Sequence, residues 1–306
     1  MAEAPHLPVL YQTIITALQP KSGGLYIDGT LGAGGHSAGI LEASTPDGQL
    51  LGLDLDPQAL AIARERLAVF AERAHIVQAS YTEMQSEALK LGWQAVDGIL
   101  LDFGVSSMQL DTPERGFSFL HDGPLDMRFS PQASISAADL VNTLDEADLA
   151  DIIYRYGEDR LSRKIARAIV NNRPLNTTRA LADLIQKHLG RPERIHPATR
   201  TFQALRIAVN RELDSIESVL PQAMSLLKTG GQLAVISFHS LEDRLVKEYF
   251  RRESVDCICP PRQPICNCGH KASLIEHTRK PIEADDVEKQ ANSRARSAKL
   301  RIAKKL

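Results

Sequence analysis

The chain has 306 residues, of which 43% are hydrophobic and 24% charged, which excludes a disordered polymer and allows one large domain or two. No apolar run approaches the ~18 residues that cross a bilayer, and Met1–Leu10 lacks the basic-then-apolar pattern of a secretory leader, so a cytoplasmic enzyme is expected. The formal net charge of -2 hides local imbalances that become informative further along the chain.

The first strand is expected at Leu25–Asp28, an apolar run ending in an acid. Gly29-Thr30-Leu31-Gly32-Ala33-Gly34-Gly35-His36-Ser37 follows. Glycines there let the backbone approach a ligand and pack the next helix tightly. The strict G-x-G-x-x-G form is missing, because Ser37 sits where the third glycine would be. Leu50–Asp54 reads as the second strand, and its terminal acid suits ribose hydroxyls. An adenosine-containing cofactor is therefore expected. Asp28 could reach an amino acid moiety, and His36 is a poor neighbour for a pyrophosphate; both favour S-adenosyl-L-methionine over a dinucleotide. A nicotinamide-dependent oxidoreductase is the rival on a related sheet.

Asp56-Pro57 is a helix start, with Asp as N-cap and Pro in the first turn, and apolar spacing continues it from Ala59 to Phe70. Further strands are expected at His75–Ala79 and Val96–Asp102. Strand and helix alternating with short links imply a parallel, doubly wound α/β sheet. Asp102 ends the fourth strand beside the glycine loop. It could accept hydrogens from an amine nucleophile or simply bind the cofactor.

From Asp111 to Asn210 no strand is expected. Asp139–Tyr156, Leu161–Asn171 and Leu181–Leu189 read as helices, punctuated by Pro124, Pro131, Pro174, Pro192 and Pro197. This gives an inserted all-helical domain, 111–210, within a core of 1–110 and 211–306. Arg115–Phe119 and Leu125–Arg128 place arginines beside aromatics, which suits stacking and phosphate contact with unpaired RNA; the alternative is a loop that packs its own Phe residues onto the sheet. Asp139–Asp159 holds seven acids and one base, whereas Arg160–Arg211 holds twelve Lys or Arg against Asp183 and Glu193. A polyanion would grip the second segment.

The strand pattern returns at Leu233–Phe238. His239, Glu242, Asp243 and Arg244 then either face the site or belong to a helix capped by Ser240. All four cysteines, Cys257, Cys259, Cys266 and Cys268, lie in one loop with His270. Zinc suits them better than a disulfide, but C-x-C spacing is tighter than usual and no metal ligand is assigned. Ser273–His277 and Ala298–Ala303 are expected as a late antiparallel pair. The last sixteen residues hold Arg294, Arg296, Lys299, Arg301, Lys304 and Lys305 and no acid, a second segment suited to phosphates.

Eight segments together resemble the bacterial 16S ribosomal RNA cytosine-N4 methyltransferases. They are His6–Leu10, Asp28–Ser37, Asp102–Ser107, Arg115–Phe119, Leu125–Arg128, Pro197–Asn210, Ile236–Arg244 and Arg294–Arg301. The resemblance runs through nearly the whole chain. It implies a class I S-adenosylmethionine-dependent methyltransferase core, a Rossmann-like seven-stranded sheet, with the helical insertion recognising substrate. It implies methylation of the N4 amine of one cytidine in the decoding region of 16S ribosomal RNA in the small subunit, with no membrane partner. By position it implies Gly34, Gly35, His36, Asp54, Tyr81, Asp102 and Gln109 as cofactor contacts, with Asp102 also the catalytic candidate. Tyr81 stands where many relatives have Phe; Gln12 and Ser293 also depart from the pattern. A homodimer is left open, as is an RNA-binding assembly factor without turnover.

Overall fold

The computed structural model describes residues 8–189, 196–261, 263 and 265–306. His6 and Leu7 of the first motif, Pro192 and Glu193 lie outside them. The chain divides into two compact units: Met1–Gly104 with Asp214–Leu306, and Val105–Leu213.

The first unit contains the sheet. Its strands are β1 (Leu25–Asp28), β2 (Gln49–Asp54), β3 (Ala74–Gln78), β4 (Val96–Asp102), β5 (Leu227–Ser237), β6 (Leu274–Glu276) and β7 (Lys299–Lys305). Their order is β3-β2-β1-β4-β5-β7-β6. β1 to β5 pair in parallel, whereas β7 runs antiparallel to both β5 and β6. A parallel sheet of this order with one reversed strand near its edge is the class I methyltransferase arrangement. Strands covered on both faces should be apolar throughout, and Tyr26, Ile27, Leu50, Leu51, Ile99, Leu100, Leu233 and Ala234 are all buried. Helix Tyr11–Leu18 adds Ile14 and Leu18 to a cluster with Tyr26, Leu100, Ile236 and Ile302.

The strand ends deserve comparison with expectation. β1 and β4 coincide with the expected segments. β5 begins at Leu227, well before Leu233, because Lys228, Thr229 and Gly230 are exposed and carry no apolar signal. Its pairing with β4 shifts register between Val96 and Gly98. Asp56 does cap its helix, accepting from Gln58 N at 3.0 Å with Pro57 in the first turn.

Among the described residues of the second unit there are helices and one isolated bridge, Pro124 to Thr177, but no strand. Its core joins Val141, Leu149, Ile153, Ile165, Leu181 and Leu205. The single helix expected over Asp139–Tyr156 is two, Ala137–Thr143 and Glu146–Gly157. Asp145 breaks it by turning extended and capping the second helix, its Oδ1 accepting from Asp148 N at 2.8 Å. Arg173 then bonds the freed carbonyls of Val141 and Leu144.

Helix Glu146–Gly157 ends against helix Thr199–Asn210, and a Cβ on Gly157 would stand 2.7 Å from the Arg200 carbonyl oxygen. Backbone cannot yield as a side-chain tip can. Gly157→Ala is therefore expected to cost about 1–3 kcal/mol, read as a lower urea midpoint at unchanged slope; an unchanged midpoint would show that the helices part freely.

Candidate cofactor and active site

Three adjacent parallel strands end in carboxylates: Asp28 on β1, Asp54 on β2 and Asp102 on β4. The register brings Asp28 level with Leu100 on one side and Gly52 on the other. The carboxylates of Asp28 and Asp54, and the backbone of Asp102, are tied to the segment after β1. Asp28 accepts from Ser37 Oγ at 2.7 Å and Thr30 N at 3.2 Å. Asp54 accepts from Gly32 N and Asp56 N, both at 2.8 Å. The Asp102 backbone N–H donates to Thr30 Oγ1 at 2.6 Å. Ser37 is fully buried on Asp28, so the residue in place of a third glycine holds the first carboxylate.

Burial and mutual repulsion charge this site unusually. Burial pushes Asp28 up to about 6, against the hydrogen bonds from Ser37 and Thr30. Asp102 is pushed up to about 8, first by burial and then by Asp28 and Glu242, while Arg294 pulls the other way. Asp54 is also raised by burial. The Asp102 side chain is 25% exposed, yet its Oδ1 is enclosed and has no hydrogen-bond partner. An enclosed carboxylate oxygen of this kind suits a hydrogen-bond donor on a ligand.

His36 stands beside it, Nδ1 lying 3.8 Å from Asp102 Oδ2. The distance suggests an ion pair, but burial takes His36 down to about 4. It is therefore neutral near pH 7, and its Nε2 lies 3.0 Å from the Val9 carbonyl, which fixes the proton there. His36 also stacks on Tyr11, with centroids 6.3 Å apart. Gly34 starts helix Gly35–Ala43 with φ +76°, and a Cβ there would meet Leu67 at 3.3 Å; one on Gly35 would meet Pro8 at 2.5 Å. Both glycines are thus required by close packing.

Tyr81 opens a short 3-10 turn after β3, capped by Ser80, and its ring lies 5.6 Å from that of Phe103. Gln109 belongs to the helical unit, where it is buried and shares a capping box with Ser106. Sequence reasoning assigned no role to Thr30 or to Arg294. The Arg294 signal was available in the Arg294–Arg301 motif, but it was read only as charge for phosphates.

Other expectations need correction. Helix Ser240–Glu253 is capped by His239, not Ser240, with Glu242 closing the box. Asp243 does not stand free in the helix dipole: it pairs with Arg301, Nε to Oδ1 at 2.7 Å. Arg301 is buried in β7, and Lys305 Nζ is bonded to the Ser225 and Leu227 carbonyls. These two bases serve the sheet and are not available to phosphates. Arg115 donates to the Arg128 and Phe129 carbonyls and lies over Phe117, while Phe119 packs on His196 and Phe202. The loop does pack its own Phe residues, but within the helical unit and not onto the sheet as expected.

Sheet order, glycine loop and three strand-end carboxylates define a methyltransferase that uses S-adenosyl-L-methionine. A carboxylate cluster suits a cationic cofactor and would repel the pyrophosphate of a dinucleotide. The chain belongs to the MraW methylase family, whose model matches residues 3–306. Proteins named ribosomal RNA small subunit methyltransferase H are similar along its whole length. That of Dehalococcoides mccartyi is 53% identical, covering 100% of this chain and 88% of the relative. That of Citrifermentans bemidjiense is 52% identical with 100% of both covered. That of Geobacter sulfurreducens is 54% identical, covering 98% of this chain and 99% of the relative.

Proposed function

We propose that this enzyme methylates the N4 amine of one cytidine in the decoding region of 16S ribosomal RNA, within the small ribosomal subunit in the cytoplasm. The relatives' names support a small-subunit ribosomal RNA substrate, and the resemblance of the motifs supports the cytidine. Among the described residues no helix is long and apolar enough to cross a membrane. The observation that carries the chemistry is Asp102, whose Oδ1 is enclosed without a partner at the end of β4.

The residues present fit the cofactor. The Asp54 carboxylate accepts from the N–H groups of Gly32, Asp56 and Leu55, and its four lone-pair sites leave room for a ribose hydroxyl. Gly34, Gly35 and His36 shape the loop, Tyr81 offers a ring and Asp102 offers an anion; Gln109 is added by the resemblance alone. Bound S-adenosylmethionine supplies an electrophilic methyl group. The chain's own part is to align the amine and relieve it of a proton. An exocyclic amine is a weak nucleophile because its lone pair is delocalised into the ring. Asp102, once ionised, accepts one of the amine hydrogens at Oδ1 and takes the proton as the new bond forms. The target base must be unstacked to reach such a site.

Methyl-labelled S-adenosylmethionine and small subunits from cells lacking the activity test this reading. Label on cytidine N4 at one site, lost in Asp102→Ala, is the expected result. Label on another base or on ribose would sink the target; cofactor and RNA binding without label would favour an assembly factor.

The helical unit is assigned to substrate recognition, as a domain of about 111–210. Arg160, Arg163, Lys164, Arg179 and Lys187 are exposed there. Replacing all five with Gln is expected to reduce the salt slope of RNA binding by up to about 4 and to leave cofactor affinity unchanged. An unchanged slope would place the RNA elsewhere.

A further inference from the structure

The methyl-transfer site uses none of the four cysteines. They lie on the stretch 254–273, between helix Ser240–Glu253 and β6, which has neither helix nor strand among its described residues. Loops of this length are uncommon without a function or an internal tie. Apolar burial does not tie this one: Val255, Ile258 and Ile265 are all exposed, Ile265 by 78%.

The thiols nevertheless converge. Sγ of Cys257 lies 3.4 Å from that of Cys266 and 4.0 Å from that of Cys268. Cys259 lies 3.9 Å from Cys266, and Cys266 lies 3.6 Å from Cys268. All four sulfurs are within 4.8 Å of one another. A disulfide needs about 2.05 Å, so these separations fit no pairwise bond. A tetrahedron of thiolates around zinc, with bonds of about 2.3 Å, has edges of about 3.8 Å. The observed separations bracket that length.

The surrounding backbone is shaped for the same purpose. Gly269 has φ +63°, a conformation that glycine adopts without strain, and it turns the chain directly after Cys268. The N–H groups of Ile258 and His270 are directed at the Cys268 sulfur. Amide donors to sulfur favour thiolate, the form that binds metal. His270 is not among the side chains whose ligand atoms converge here; its Nε2 meets the Arg252 carbonyl at 2.9 Å. The stretch is closed at its base, Ser273 N donating to Glu253 O at 2.8 Å.

We propose that Cys257, Cys259, Cys266 and Cys268 form a structural zinc site that ties this loop beside the β6 edge of the sheet. Four sulfur ligands close the coordination shell, so the ion has no open position for chemistry. The metal takes the place of the apolar core that the loop lacks. The neighbouring Ile258 and Ile265 can therefore stay on the surface without loosening it.

Protein purified without chelator is expected to carry one zinc per chain by elemental analysis. Its four thiols should resist Ellman's reagent until a chelator removes the metal. Cobalt added to the metal-free protein should give the intense visible bands of tetrahedral coordination and a thiolate-to-cobalt transition in the near ultraviolet. Cys257→Ser and Cys266→Ser should each weaken zinc binding at least tenfold and admit protease within 254–273. The cobalt spectrum of the unaltered chain decides the matter even if those variants misfold. Protein from zinc-replete cells with no bound metal, four freely reactive thiols and no tetrahedral cobalt spectrum would overturn the proposal. So would bound iron with a tetrathiolate spectrum, which would assign the site to another metal.

Discussion

Asp102→Asn is expected to make the unliganded protein more stable while nearly abolishing methyl transfer. The folded-state Asp102 titrates at about 8 against 3.8 for the free side chain. A carboxyl raised on folding holds its proton in the native state where the unfolded chain has lost it. Its contribution is most favourable below pH 4, declines as pH rises from about 4 to about 8, and is then constant. The neutral asparagine avoids that decline. Taken at face value the shift corresponds to roughly 6 kcal/mol; with a quarter of the side chain exposed, about 2–3 kcal/mol above pH 8 is expected. Urea unfolding at pH 5 and pH 9 checks this: the variant should gain little at the lower pH and the full amount at the higher. Equal gains at both would mean that Asp102 is not held protonated by the fold. Loss of a hydrogen acceptor at the reacting amine should lower kcat by about 10²–10⁴.

The same carboxyl should make cofactor binding depend on pH. A sulfonium favours the ionised form of Asp102. Affinity for S-adenosylmethionine should therefore rise with pH up to about 8 and release a proton on binding near neutrality. S-adenosylhomocysteine, whose sulfur is neutral, should show a flatter profile. Asp28, at about 6, should steepen the fall at lower pH. Calorimetry in buffers of different ionisation enthalpy reads the proton directly.

The second large effect is structural. Arg301 in β7 and Asp243 in helix Ser240–Glu253 form a two-pronged pair at 2.7 and 3.2 Å, with side chains only 5% and 12% exposed. Arg301→Met leaves a nearly buried carboxylate with only Lys299 at 3.6 Å. The expected loss is about 3 kcal/mol, the lower end for breaking a buried pair. Adding Asp243→Leu should recover most of it, since removing both charges also removes the desolvation cost. A double variant as unstable as the two single losses combined would show that the pair contributes chiefly through packing of the arginine stem.

The parts of this fold that were legible in the sequence share a physical signature. β1 and the Gly98–Leu101 part of β4 are apolar runs stopped by an acid, and the same signature located Asp28, Asp54 and Asp102. The early part of β5 was illegible because its residues are polar or glycine and its strand character comes from pairing with β4. The helix break at Asp145 depended on competition between capping and continuation, which periodicity alone does not settle. Arg301 was misread, and Arg115 left undecided, for a different reason. Their partners, Asp243 and the Arg128 and Phe129 carbonyls, are fixed by folding, and a lone arginine looks the same whether it faces a phosphate or a buried carboxylate. Arg294 was seen as charge but not as a neighbour of Asp102, because nothing local connects residues so far apart.

The pairing of β4 with β5 also sets the order in which the molecule can be built. Asp102 lies opposite Ile236, and the entire helical unit is synthesised between them. At about 5–20 residues per second, one flank of Ile99, Leu100 and Leu101 stays without its neighbouring strand for several seconds of translation. The helical unit, rich in contacts between nearby residues, can fold during that interval, since local contacts form fastest. The Asp102 end of β4 is thus among the later parts of the sheet to be completed, and a nascent chain stalled within the helical unit exposes an apolar edge for chaperones to cover.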